Sequence, residues 1–261
     1  MKQLGPRTDT DRSLDRLRIA VGLIVGLGLT TSAHAQHCPI PHDAQSSLQL
    51  HDAEQRIRFI QQTLTDAARQ EQRFALGWSL TYAGLSAGSW LILPLSSDPR
   101  QIVETAFNSG TSAFAALFSL IGPLGVVRDA RALRTLLAAR TSADQQCATL
   151  AASERLFRHA ADSELSARSA FAHASSVAFN VGLGLVLAYA LKRPDGAAIN
   201  TTVGITLGEL MIATRPTLAH SHWQRYRTGD LSSKPSPAPL VISVSPWLTQ
   251  TSYGVSLLGS L

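Results

Sequence analysis

Apolar residues at Leu50, Ala53, Ile57, Ile60, Leu64 and Ala67 recur at alternating spacings of three and four, the signature of one buried helical face. Glu54, Arg56, Arg58, Arg69, Glu71 and Arg73 occupy the remaining positions, which predicts an amphipathic helix of about 28 residues, roughly 42 Å long. After Arg73 the alternation stops. Residues 74–95 carry no ionisable group except Tyr82, and Trp78, Tyr82 and Trp90 lie near the ends of this run, as interfacial aromatics do. No helix breaker separates the two parts, so one long helix is expected to pass from water into a bilayer. Asp98 and Pro99 supply an N-cap and a first helical residue for the next helix. Its apolar stretch, 105–127, exits at Arg128 into a polar helix carrying Arg131, Arg134, Arg140 and the leucines Leu133, Leu136 and Leu137.

The pattern then recurs. Residues 144–168 form a second amphipathic segment with Leu150, Phe157, Ala160, Ala161 and Phe171 on one side. Two nearly uncharged segments follow, 169–191 and 196–214, joined by the charged turn Lys192, Arg193, Pro194 and Asp195. This is a helical hairpin sized for a bilayer. Amphipathic helix, span, short turn and span thus occur twice, at a shift of roughly 95–100 residues that sets Glu54 and Arg58 against Glu154 and Arg158, Gly84 near Gly182 and Gly184, and Asp98 near Asp195. An internal duplication is the expectation, with two coincidentally similar hairpins as the alternative. Beyond Asp230 a Pro- and Ser-rich connector leads to a tail with two β-prone runs, 241–245 and 253–258.

The predicted fold is therefore all-α: two tandem helical hairpins forming a four-helix transmembrane bundle, with long amphipathic helices outside the membrane and a short C-terminal β-hairpin. The expected divisions are 36–141 and 142–228 for the two units, 229–239 for the linker and 240–261 for the tail. Residues 1–35 read as a signal peptide, with a basic start, an apolar run over 19–29 and an Ala33-His34-Ala35 cleavage site; an uncleaved anchor is the alternative. Export places Cys38 and Cys147 in an oxidising compartment, where an even cysteine count predicts a disulfide; two buried free thiols are the alternative. His37, His42 and His51 lie near Cys38, but Pro39 and Pro41 interrupt the segment and no zinc-ligand spacing is present, so a solvated arm is expected.

Composition changes this picture little. The hydrophobic share of 45% is ordinary for a soluble chain, but the 16% of charged residues is clustered, which creates the uncharged windows. Of the net charge of +5, residues 1–35 hold five basic and three acidic side chains, leaving +3. That is too little to predict a nucleic-acid partner. One conflict stands. With the amphipathic helices outside the inner membrane, Arg128 to Arg140 lie on the side that the positive-inside rule disfavours, while the inner turns carry only Arg100, Lys192 and Arg193. A soluble or peripheral periplasmic bundle is the alternative location.

Within 171–217, His173, Asn180, Gly182, Gly208, Glu209, Ile212, Thr214, Pro216 and Thr217 form a His-then-Asn-Gly span followed by a G-E-x-x-I-x-T-x-P-T segment. In this the chain resembles a group of myxobacterial cell-envelope membrane proteins over about 45 residues. That resemblance implies an envelope location and no particular activity, since the group has no assigned function.

Glu209 is the most notable side chain, because a carboxyl within an apolar helix faces either a partner or a water path. A proton or ion relay with His173, or with Asn180 and Asn200, is the functional reading; a hydrogen bond to a neighbouring helix near the membrane boundary is the structural one. Gly84 with Gly88, and Gly204 with Gly208, are small residues four apart that let helices approach closely, inside the bundle or between copies. No catalytic motif and no cofactor fingerprint is present, so a non-enzymatic protein is expected. Its partners are expected to be the lipid bilayer and an envelope protein or a second copy. The leading expectation is a structural or partner-binding role; a small channel or carrier using Glu209 and His173, and a periplasmic helical lipid-binding protein, are the alternatives.

Overall fold

The computed structural model describes residues 38–95, 97–121, 125–140 and 142–232, and the backbone alone of 241–248 and 253–260. The predicted signal peptide and most of the linker lie outside the described residues.

Among the described residues the chain forms seven α-helices: α1 (Ala53–Ile92), α2 (Pro99–Ile121), α3 (Gly125–Ala138), α4 (Gln146–Ser166), α5 (Ala170–Leu185), α6 (Pro194–Ala213) and α7 (Leu218–Arg227). Helix α1 starts where Asp52 accepts the Gln55 N–H (2.7 Å), satisfying one of the free donors of the first turn. It runs unbroken for 40 residues, through both the amphipathic and the uncharged part of the sequence. The buried stripe begins at Ala53. Leu50, expected in that stripe, lies in the preceding 3-10 turn (Ser46–Leu50) and is 85% exposed, while Leu48 is buried in its place.

The core gathers at one end of the molecule. Ile57, Ile60 and Leu64 of α1, Val126, Ala130 and Leu133 of α3, Leu150 and Phe157 of α4, and Ala219, Trp223 and Tyr226 of α7 pack into a single cluster. Phe157 meets Trp223 edge-on at 5.3 Å between centroids, and Trp223 stacks on Tyr226 at 5.7 Å. These are the offset and edge-to-face arrangements that aromatic quadrupoles favour. A disulfide between Cys38 and Cys147 ties the N-terminal arm to the start of α4, closing a loop of 109 residues.

At the other end the chain forms two antiparallel hairpins. The second half of α1 packs on α2, and α5 packs on α6. Each hairpin packs mainly within itself; α1 and α2 make little close contact with α5 and α6. Their outer surfaces are apolar: Leu76, Leu80, Phe114, Leu117, Phe118, Phe179, Leu185, Ile199 and Val203 are all exposed. Among the described residues three helical stretches are long and apolar enough to cross a membrane: Pro99–Ala138, Ala170–Ala190 and Pro194–Arg227. The second half of α1, expected as a fourth span, is not among them; its Gly, Ser, Trp and Tyr residues dilute the leucines.

The second amphipathic segment does not run straight into its hairpin. Helix α4 stops at Ser166, and Ser169 caps a new helix by accepting the Ala172 N–H (3.4 Å). This restart changes the helical phase, so Phe171, expected on the buried side with Phe157, is 80% exposed.

Candidate functional site

Four polar clusters lie at successive levels from the core to the hairpin tips. The first is buried in the core. Arg56 of α1 is 1% exposed, Glu154 of α4 8% and Tyr226 of α7 fully buried. Arg56 Nη2 and the Tyr226 hydroxyl both donate to Glu154 Oε1. Arg56 Nε donates to the Tyr226 oxygen (3.0 Å), and its Nη1 and Nη2 donate to the carbonyls of Cys38 (3.4 Å) and Pro39 (3.2 Å). Burial raises the Glu154 carboxyl above its ordinary range, against the pull of Tyr226 and Arg56. Burial likewise raises the Tyr226 hydroxyl. Three helices and the disulfide arm meet here, with all three side chains engaged.

The second cluster lies where the core meets the hairpins. Arg215, in the link between α6 and α7, donates from Nη2 to Glu71 Oε1 of α1 (2.6 Å). Glu164 of α4 accepts the Ala219 N–H (3.1 Å) and the His220 N–H (2.8 Å), capping the first turn of α7. Arg168 donates to the Ala213 carbonyl at the end of α6 (3.1 Å). Glu71 and Glu164 are each 2% exposed. Burial pushes the Glu164 carboxyl up to about 7, with Glu71 adding to it and the two backbone donors opposing it.

The third runs along the α5–α6 seam. His173 Nδ1 and Glu209 Oε2 share a hydrogen bond, whereas Glu209 Oε1 is buried without a partner. Further along, a Cβ placed on Gly208 would meet Ser176 Oγ (2.3 Å), one on Gly204 would meet Asn180 Oδ1 (2.1 Å), and one on Gly184 would meet Thr201 Oγ1 (1.9 Å). These glycines admit polar side chains of the facing helix, a close fit suited to an apolar surrounding. Gly84 and Gly88 face open space. The first hairpin is held instead by Ser79, whose Oγ donates to the Ala116 carbonyl (3.0 Å), and by Ser86 with Ser109 (2.9 Å).

The fourth joins the hairpin tips. Arg193 donates from Nε to Glu104 Oε2 of α2 (2.9 Å) and lies 3.5 Å from Asp98. Asn200 Nδ2 donates to Glu104 Oε1 (3.4 Å) and to the Gly196 carbonyl (2.9 Å).

Of the residues singled out from the sequence, His173 and Glu209 come together and Asn180 lies further along the same seam. Asn200 belongs to the tip cluster, apart from Glu209. Sequence reasoning missed Arg56, Glu71, Glu104, Glu154 and Glu164 as buried or clasping groups. A readable signal existed only for Glu104, an acidic residue within one turn of a predicted span. Among the described residues no group of three His, Cys, Asp or Glu side chains is placed to hold a metal ion. No protein-family model, curated protein sequence or solved structure matches the chain.

Proposed function

We propose that this chain is an exported membrane protein of the cell envelope with a structural, partner-binding role. Its disulfide-locked bundle stands on the outer side of the inner membrane and its two hairpins are embedded in it. The observation that carries this reading is the division of apolar side chains. At one end they are buried among four helices and stapled by Cys38–Cys147; at the other they point outward over both hairpins. A water-filled setting would leave that second surface exposed, whereas lipid matches it. The weakly apolar half of α1 enters the bilayer as the partner of α2, because its buried Ser79 and Ser86 bond within the hairpin.

The two units, 36–141 and 142–228, are read as copies of one module, since each supplies a hairpin and two helices of the core. The tail is read as an antiparallel hairpin, supported by the register from Val241 with Ser260 to Leu248 with Tyr253, and as the part that meets a protein partner. Two strands alone are marginal, and a partner's sheet or helix would complete them. The resemblance to myxobacterial envelope proteins agrees with this location. Carbonate washing of membranes is the test: retention in the pellet, with Cys147 labelled from outside only after reduction, is expected. Release of the protein by carbonate overturns the membrane reading.

A second reading, a small proton-coupled carrier, is favoured by the unpartnered Glu209 oxygen beside His173. Proton flux into reconstituted vesicles, abolished by Glu209→Gln, supports it; equal flux in both forms excludes it.

A further inference from the structure

The two hairpins differ in how the hydroxyls along their seams are satisfied. Between α1 and α2, Ser79 donates to the Ala116 carbonyl (3.0 Å), and Ser86 and Ser109 bond each other (2.9 Å). On the outer face of α6, Thr202 and Thr206 bond back to the carbonyls of Ala198 (2.9 Å) and Thr202 (2.8 Å), which is what a hydroxyl facing lipid requires. Between α5 and α6 neither happens. Among the described residues, the hydroxyls of Thr201 and Ser176 and the side-chain oxygen of Asn180 have no hydrogen-bonding partner, and Glu209 Oε1 is buried without one. Asn180 is anchored through Nδ2, which donates to the Ser176 carbonyl (2.8 Å) and leaves the oxygen free.

These four oxygens follow one another along the seam. Thr201 is fitted against Gly184, Asn180 against Gly204 and Ser176 against Gly208, and His173 pairs with Glu209 next, so the antiparallel register fixes their order. At the start of the row Asn200, the neighbour of Thr201, donates to Glu104 Oε1 (3.4 Å). From Asn200 to Glu209 the row rises about 14 Å along α6. Successive groups are a turn or less apart, about 5.4 Å, which is the reach of two hydrogen bonds through one shared oxygen. An oxygen left unpaired in an apolar surrounding costs free energy, and one water per turn supplies the missing partner to each and joins it to the next.

We propose that the α5–α6 seam holds a single file of water that carries protons between Glu104 at the hairpin tips and the His173–Glu209 pair at the core side. This rests on the membrane placement and on the proton-carrier reading of Glu209 and His173, to which it adds the route and its far terminus. A carboxyl at one end releases its proton to the nearest water, each water passes on one of its own, and the group at the other end takes one up. One proton enters and one leaves, and no other bond is made or broken. The hydroxyls of Ser176 and Thr201 both accept and donate and so take part in the chain; Asn180 Oδ1 only accepts, and orients a water without exchanging a proton.

The test uses the full chain reconstituted in phospholipid vesicles with a trapped pH dye and an acid pulse. The Ser176→Ala/Thr201→Val double is expected to slow proton entry about tenfold, the rate equivalent of one lost hydrogen bond. Its melting temperature in detergent is expected at or above the parent's, because the hydroxyls removed bond no protein group. Glu104→Gln, which keeps acceptors for Arg193 and Asn200, is expected to slow entry by a similar factor, and Thr206→Val on the outer face to leave the rate unchanged. Parental flux in the double variant, with flux still abolished by Glu209→Gln, overturns the route and leaves the carrier reading standing. A parent that passes no protons overturns both. A double variant that melts below the parent shows those hydroxyls bonded to protein and overturns the water file, and a current that follows sodium at constant pH overturns the assignment to protons.

Discussion

Replacing Arg56 by methionine tests the physical account of the core most directly. The change removes the cation while keeping a side chain of similar length, so Glu154 is left buried with the Tyr226 hydroxyl as its remaining donor. Three hydrogen bonds to other groups of the cluster are lost as well: those to the Tyr226 oxygen and to the carbonyls of Cys38 and Pro39. Stranding one member of a buried ion pair costs about 3–5 kcal/mol. For a four-helix core of this size that lowers the melting temperature by at least about 10 °C. The triple change Arg56→Met/Glu154→Leu/Tyr226→Phe removes charges and hydroxyl together. It should return to within about 1–2 kcal/mol of the parent, because the costly feature is an unpaired charge rather than the lack of a pair. Trp223 packs on both Phe157 and Tyr226, so its emission reports this region once Trp78, Trp90 and Trp247 are replaced by Phe. Unfolding of the detergent-solubilised chain gives the values. A cost below about 1 kcal/mol for Arg56→Met, or a triple variant no more stable than the single one, would refute the reasoning.

Three further outcomes are expected. The Cys38→Ser/Cys147→Ser variant opens a loop of 109 residues and should lose about 3–5 kcal/mol by the same fluorescence assay, with a mobility change on non-reducing gels that the parent shows only after reduction. Glu164, held up at about 7 by burial, favours its protonated form in the folded core; its contribution is full below the ordinary carboxylate value of 4.5 and falls as the pH rises to about 7, by about 3 kcal/mol in all. Melting curves of Glu164→Gln between those pH values should slope less than the parent's, and parallel slopes would count against it. Gly184→Val drives a side chain into Thr201 and should cost the second hairpin about 1–3 kcal/mol, while Gly88→Ala, facing open space, should leave stability unchanged or raise it by up to about 1 kcal/mol; detergent melting curves separate the two.

The helical segments and the alternation of watery and apolar parts were legible because periodicity is local. Ile57, Ile60 and Leu64 recur as one face whatever they pack against. Phase errors came from ends. Leu50 fits the periodicity of a helix that Asp52 caps only two residues later, and Phe171 that of a helix that Ser169 restarts. Arg56 falls off the apolar stripe, on the face shared with Glu54 and Arg58, so the pattern alone predicts it solvated. Its burial depends on Glu154 and Tyr226, 98 and 170 residues away, which no window of the sequence contains. The same holds for Glu104, whose partners Arg193 and Asn200 lie 89 and 96 residues on. His173 and Glu209 could be linked in advance because both face the interior of one hairpin, whose tight turn places its two strands of helix opposite each other.

The unbroken α1 has a mechanical consequence. At 1.5 Å per residue its 40 residues make a strut about 60 Å long, shared between the core and the first hairpin. The second hairpin has no such strut: it joins the core through the break at 167–169 and the link at 214–217. Bending stiffness is therefore unequal on the two sides. A tilt of the first hairpin carries the core with it, whereas the second hairpin is held in place by side-chain contacts: Arg168 with Ala213 and Arg215 with Glu71 at its joints, and Arg193 with Glu104 at its tip.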